Sequence, residues 1–354
     1  MKKLTRTKAF FLVLLVLAVL PVACNAPVNL GDWAGSSQPP IPEMLAHTSQ
    51  DAWSAWINKL SGVEPVVIGG EPAVITTRYS YAMFTGQPNA RAFDFVLEQV
   101  RAWVPDSQIE VDEYPYADAE HTYTWKNLIV TLPGTTRENE VVVLSAHLDS
   151  TVVREGNALE AAPGADDNAT GAAALLEAVR LFSRYRFERT LKLIFFSGEE
   201  NGLAGSRAYT ADHPTDNIVA VVNMDMFGFD SNGDRCFELH VGVVPGAEEI
   251  GQTFVQSIQE YNLDLRYDFL RATATDRSDH TAFWEKGVPA VTVIQNFFED
   301  GLPDGCQGVD GTPWYHRPGD TIDKINLTYG YDIARASLIT AAKLAVPQRR
   351  IRGW

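Results

Sequence analysis

Five stretches of this chain place a group that can bind a cation or move a proton at the edge of an apolar or small-residue run. His147 and Asp149 close "VVVLSAHLDS", and Asp166 and Asp167 sit in "GADDNATG" just ahead of an alanine-rich segment. Glu199 and Glu200 follow "LIFFSG", Asp225 ends "AVVNMD", and His316 lies in "TPWYHRPGD". Each has a plain structural explanation when taken alone. Asp166–Asn168 reads as a turn and helix cap, and His316 beside proline and glycine reads as a loop residue. Together they deliver histidines and carboxylates from separate elements to what can be one edge. Neighbouring Glu199 and Glu200 repel each other, and a nearby cation removes that repulsion.

The spacing has a mechanism. His147 and Asp149 are two apart, so on a strand they point the same way, and the Asp149 carboxylate can accept the second ring N–H of His147 and fix its tautomer. Glu199 and Glu200 diverge, so one can bind metal while the other faces a reacting water as general base. Histidine and carboxylate donors without a thiolate suit Zn²⁺, with Mn²⁺ and Co²⁺ as alternatives. Two histidines and three acids exceed the usual three protein ligands of one catalytic zinc, whereas two ions about 3.5–4 Å apart with a bridging carboxylate would use all five.

The surrounding pattern supplies the scaffold. "SQIEVDEYPY", "WKNLIVTLPG", "EVVVLSAHLDS", "TLKLIFFSG", "NIVAVVNMD" and "VPAVTVI" read as strands. They alternate with helical periodicity in "NARAFDFVLEQVRAWV", "ATGAAALLEAVRLFSRY", "GLAGSRAYTAD", "AEEIGQTFVQSIQEYN", "DHTAFWEKG" and "YGYDIARASLITAAKLAV". The expected fold is α/β, a three-layer sandwich whose central, mostly parallel mixed sheet is flanked by helices, with ligands bound beyond the carboxyl ends of the strands.

In order along residues 78–345, His-x-Asp, Gly-Ala-Asp-Asp-Asn-Ala-Thr-Gly, Gly-Glu-Glu-x-Gly-Leu-x-Gly-Ser, Asn-Met-Asp and Tyr-His resemble the bacterial dinuclear zinc aminopeptidases. That group of co-catalytic zinc exopeptidases is related to glutamate carboxypeptidase-like enzymes and animal glutaminyl cyclases. The resemblance implies two Zn²⁺ per chain, with His147 and Asp225 on one, Glu200 and His316 on the other, and Asp167 bridging through a residue pair, Asp167–Asn168, joined by a cis peptide. It implies Glu199 as general base, Asp149 supporting His147, and Tyr315 hydrogen-bonding the oxyanion. The implied activity is removal of N-terminal residues from peptides with a free N-terminus. Glutaminyl-peptide cyclotransfer and carboxypeptidase or dipeptidase action are the alternatives.

The ends of the chain bear on location. Lys2, Lys3, Arg6 and Lys8 precede the unbroken apolar stretch Ala9–Leu20, and "LPVAC" follows. This reads as a signal peptide over 1–24, of the lipoprotein type with lipidation at Cys24, or else cleaved in the ordinary way near Ala23. Residues 25–77 read as a linker and short helical N-terminal extension, and 78–350 as the zinc peptidase domain. The protein is expected outside the cytoplasm, touching membrane only through an N-terminal lipid. Export permits a Cys236–Cys306 disulfide, which spacing alone leaves open. With 45 acidic and 29 basic residues the net charge is −16, and −20 once the four bases of residues 1–24 are set aside. Such a chain is not a nucleic-acid binder, and nothing in it speaks to oligomeric state.

Other groups carry quieter expectations. His280 is a rival ligand, but Ser278 reads as an N-cap and favours a structural role. "DSNGD" at 230–234 reads as a hairpin turn, and the long segment Asn296–Trp314 as a pocket wall or lid.

Overall fold

The apolar run Val141–Ala146 becomes the middle of an eight-stranded mixed sheet in the computed structural model of the chain. The structure describes residues 40–84, 91–214, 216–298, 305–306 and 308–350, which belong to one compact unit, Gln38–Trp354. The signal-like segment with Cys24, and the linker as far as residue 39, lie outside the described residues.

Across the sheet the strands run Arg266–Leu270, Cys236–His240, Ala290–Gln295, Ile218–Met224, Arg137–His147, Arg189–Phe196, Thr122–Leu132 and Ile109–Ala117. The four from Ala290–Gln295 to Arg189–Phe196 are mutually parallel, and antiparallel pairings flank them. Strands covered on both faces cannot leave polar side chains unpaired, which is why the central ones read as continuous apolar runs. Lys192, buried within Arg189–Phe196, forms an ion pair with Asp216 at 2.6 Å.

One face is covered by Gln50–Leu60, Thr170–Phe182, Ala247–Glu260 and Leu327–Ala345, all contributing to one large core. The other carries Ala204–Asp212 and His280–Trp284, where Tyr209 and Phe283 pack on Phe196 and Val221. Ser49 caps Gln50–Leu60 by accepting the Ala52 N–H at 3.0 Å, and Trp53 from that helix donates to the Thr170 carbonyl at 3.1 Å. A Cβ at Gly171 would sit 2.9 Å from the Met224 carbonyl, so a side chain there would push Thr170–Phe182 off the sheet.

Three details differ from the pattern reading. Cys236–His240 and Arg266–Leu270 are strands that the sequence did not announce, since Glu238, His240 and Asp268 interrupt their apolar character. The 230–234 turn is not a hairpin turn, because its flanking strands are separated in the sheet by Ala290–Gln295. Ser278 is not the N-cap of His280–Trp284. Asp279 holds that position, and the Ser278 hydroxyl accepts from Asn223 at 2.8 Å.

Candidate metal centre

Register brings the key residues level. Within the parallel sheet Ala146 pairs with both Phe195 and Met224, so three neighbouring strands reach their carboxyl ends together. His147 ends one strand, Asp225 follows the second, and the Ser197–Glu200 turn follows the third. Gly198 opens that turn at φ 70°, where a Cβ would meet the Trp125 ring at 2.9 Å.

The two oxygens of Asp167 face different histidines. Oδ1 lies 3.3 Å from His147 Nε2 and Oδ2 lies 3.3 Å from His316 Nε2. His147 Nε2 is also 3.3 Å from Asp225 Oδ1, and His316 Nε2 is 2.8 Å from Glu200 Oε2. The result is two donor sets, His147 with Asp225 and His316 with Glu200, sharing Asp167. Glu199 also comes within reach of His147 and Glu200, and it lines the adjoining cleft with Asp167, Asp225 and Tyr315. Asp166 does not join the centre; its Oδ1 accepts the Gly228 N–H at 2.7 Å. His280 is buried elsewhere, with Nε2 bonded to the Thr275 carbonyl at 2.9 Å. The Asp167–Asn168 peptide is cis, and Asn168 donates to the Met224 carbonyl at 2.9 Å.

Asp149 works differently from its expected geometry. His147 Nδ1 reaches the Asp149 backbone carbonyl at 3.1 Å, with the carboxylate farther off at 3.7 Å. The carboxylate is engaged instead by the backbone N–H groups of Glu199 and Glu200, at 3.2 and 3.3 Å, and by the Ser80 hydroxyl. Turn amides outcompete the ring because they converge on both carboxylate oxygens at once. Asp149 thus orients the paired glutamates as well as the histidine.

Two supporting residues have no signature in the sequence. Asp320 accepts the N–H groups of Asp166 and Asp167 at 2.9 and 3.0 Å. Arg78, fully buried, donates to the carbonyls of Leu60, Leu148, Pro163 and Gly164 at 2.6–2.8 Å.

The electrostatics are those of a cation site. Burial, then the charge of Asp167, pushes the Glu200 carboxyl up to about 8. Burial likewise raises Glu199 well above the usual range, assisted by Asp225 and Glu200 and opposed by His147. Burial opposes but does not prevent a lowered Asp167, because both histidines hydrogen-bond it. Burial would lower His316, yet Asp167 and Glu200 hold it up to about 10. Buried acids crowded this closely need positive charge, and Glu200 Oε1 is buried with no hydrogen-bond partner among the described residues. The nitrogen and oxygen donors, with no thiolate, fit zinc.

The profile of Peptidase family M28 matches residues 127–340, more than half of the chain. This chain belongs to peptidase family M28. It is a metallopeptidase, and the α/β sandwich is the fold of that family's solved members. The chain is 25% identical over 329 residues to a "Probable leucine aminopeptidase" of Trichophyton verrucosum, covering 91% of this chain and 78% of the relative. It is 29% identical over 279 residues to "Leucine aminopeptidase 1" of Coccidioides posadasii, covering 76% and 67%. In fold it resembles the LapA aminopeptidase of Legionella pneumophila, with a TM-score of 0.63 at 18% identity over 88% of this chain and 75% of that one. An Acidobacteriales bacterium glutaminyl cyclase matches equally in fold, with a TM-score of 0.63 at 18% identity over 88% and 97% of the two chains.

Cys236 and Cys306 are joined by a disulfide, tying the Cys236–His240 strand to the segment that leads to His316. Tyr315 stacks on His316 with ring centroids 3.7 Å apart, with Phe297 at 4.9 Å and the Arg154 guanidinium 4.8 Å from its ring.

Proposed function

We propose that this chain is an exported aminopeptidase that holds two zinc ions and removes residues from the free N-terminus of peptides. The observation that carries the two-ion reading is Asp167, whose oxygens each face a separate histidine–carboxylate pair. His147 and Asp225 would hold one ion, His316 and Glu200 the other, and Asp167 both. When bound, such ions supply Lewis acidity for the scissile carbonyl and for a water.

The chain's own groups supply the rest. Glu199 takes the proton of the attacking water and passes it to the leaving amine, and burial, which raises its carboxyl above the usual range, favours its holding that proton between the two transfers. Tyr315 stays un-ionised, because burial and the surrounding carboxylates push its pKa up, so its hydroxyl keeps a proton to donate to the oxyanion. Asp149 and Asp320 hold the Glu199–Glu200 turn and Asp167 in place through backbone amides. The aminopeptidase names of the relatives support this choice over the cyclase.

Export is supported by the signal-like residues 1–24 and by the Cys236–Cys306 disulfide, a bond suited to oxidising compartments. Lipidation at Cys24 is part of the same reading, tested by N-terminal mass spectrometry of the wild type against Cys24→Ala. For activity, the zinc-loaded protein is given short peptides and their N-acetylated twins, with Glu199→Ala as control. Stepwise loss from only the free-amine peptides supports the proposal. Trimming from the other end, or loss of ammonia from an N-terminal glutamine, replaces it with a carboxypeptidase or a cyclase.

A further inference from the structure

The cleft beside the metal centre has a volume of about 350 Å³ and is open to solvent. Its acidic side is Asp167, Glu199 and Asp225; its apolar side is built from Met226, Ile294, Phe297, Phe298 and Tyr315. One more residue lines it, Arg277. Among the described residues the Arg277 guanidinium has no hydrogen bond, ion pair or ring contact, although three carboxylates line the same cleft.

Among the described residues most bases are matched to an acid, whereas Arg277 is exposed with its guanidinium free to meet an incoming group. Its loop is also held firmly. The Thr275 N–H donates to His240 Nδ1 at 3.0 Å, the Thr275 carbonyl meets His280 Nε2 at 2.9 Å, and the Thr275 hydroxyl accepts the Arg277 N–H at 3.3 Å. His240 and His280 are both buried, so two core histidines pin the backbone two residues before the guanidinium. A side chain carried on a braced loop is presented in a repeatable place.

We propose that Arg277 is a specificity-determining residue that binds a carboxylate of the substrate. This rests on the aminopeptidase reading. Once cations neutralise the acidic side, Arg277 repels the amino end of a peptide and attracts an anionic group. Guanidinium is suited to that task, because its planar fork matches carboxylate geometry in a way an ammonium does not. The carboxylate can come from the C-terminus of a dipeptide or from an acidic side chain, and the two sources are separable by experiment.

The zinc-loaded full chain is assayed on two matched pairs: leucyl-phenylalanine against its C-terminal amide, and glutamyl- against glutaminyl-phenylalanine amide. The readout is the ratio of kcat/KM within each pair, for the wild type, Arg277→Gln and Arg277→Lys, with metal content and unfolding temperature confirming intact protein. The wild type is expected to favour the carboxylate member of one pair by roughly 10- to 100-fold, the range of a charged hydrogen bond. Arg277→Gln brings that ratio close to one, and Arg277→Lys falls between. The first pair responding identifies the chain terminus, the second an acidic side chain. Equal ratios in wild type and Arg277→Gln, with the amides still cleaved, overturn the inference alone. No cleavage of any member by the wild type overturns the aminopeptidase reading and the inference with it.

Discussion

Asp320 accepts the backbone N–H of Asp167 at 3.0 Å, so the residue shared by both histidine sites is held from behind by a second carboxylate. Among the described residues Asp320 makes no ion pair with either histidine; its influence passes through the peptide that carries Asp167. Burial pushes its carboxyl up to about 6, while the amides it accepts from pull the other way. Asp320→Ala therefore loosens Asp167 without removing a ligand. Zinc affinity, measured by competition with a chromogenic chelator, is expected to fall about 10- to 100-fold, the usual cost of losing a partner that orients a ligand. An unchanged affinity would show that Asp167 is positioned by other contacts.

Glu199→Gln separates chemistry from metal binding. The amide keeps the shape but cannot take a proton. The expected loss is about 10²–10⁴-fold in kcat, with zinc content by elemental analysis close to that of the wild type. A variant that loses its zinc along with its activity would make Glu199 a ligand.

Metal removal acts on stability as well as activity. Asp225 and Glu200 each repel Glu199, and Asp167 repels Glu200, when no cation is present. A ligand at a hundred times its dissociation constant stabilises the folded state by about 2.7 kcal/mol, so chelation should lower the unfolding temperature and zinc should restore it. Asp167 and Glu200, against burial, hold His316 up to about 10, so zinc binding must also displace its proton. Affinity therefore falls as pH falls, and calorimetry in buffers of different ionisation enthalpy should detect protons released on binding near pH 7–8.

His280 sets a different pH response. Burial lowers its pKa to about 4, against the bond to Thr275 and the charge of Asp276. The unfolded chain takes up this proton first, near pH 6.5, so the stability tied to the neutral ring is complete above that value. It is lost as the pH falls from 6.5 toward 4. Between pH 7 and pH 5 the wild type should lose about 2 kcal/mol relative to His280→Gln, which keeps a donor for Thr275, in urea denaturation. Parallel curves for the two proteins would mean that the ring is protonated in the fold.

Much of the centre was legible in the sequence because strand ends announce themselves. A buried apolar run such as "VVVLSAH" that stops on a polar group marks both an element and its functional edge. His147, Glu200 and Asp225 end or follow such strands, whereas Asp167 and His316 lie in loops and are named as ligands only through the resemblance to the zinc aminopeptidases; the structure brings all five together. Arg78, Asp320 and Arg277 could not be named either way. The first two act on carbonyls and amides, which every residue has, so no partner residue stands out to reveal them. Arg277 is defined by what it does not touch. Asp149 was correctly placed beside His147 but its partners were not, since the turn amides that reach it come from 50 and 51 residues away. Backbone conformation was equally hidden: His316 and Met226, neither a glycine, both sit at positive φ beside the cleft, at 57° and 27°.

The level ending of three neighbouring parallel strands has a consequence for how such an enzyme can change. Adjacent strands lie about 4.8 Å apart, so the sheet itself sets the distances between His147, the glutamate turn and Asp225. The walls that greet a substrate, Phe297, Phe298 and Arg277, belong to separate excursions from that frame. Substitutions in those excursions can alter which peptide is accepted while the cutting apparatus keeps its spacing. Selectivity and chemistry are inherited on different parts of the chain, and one can drift while the other stays still.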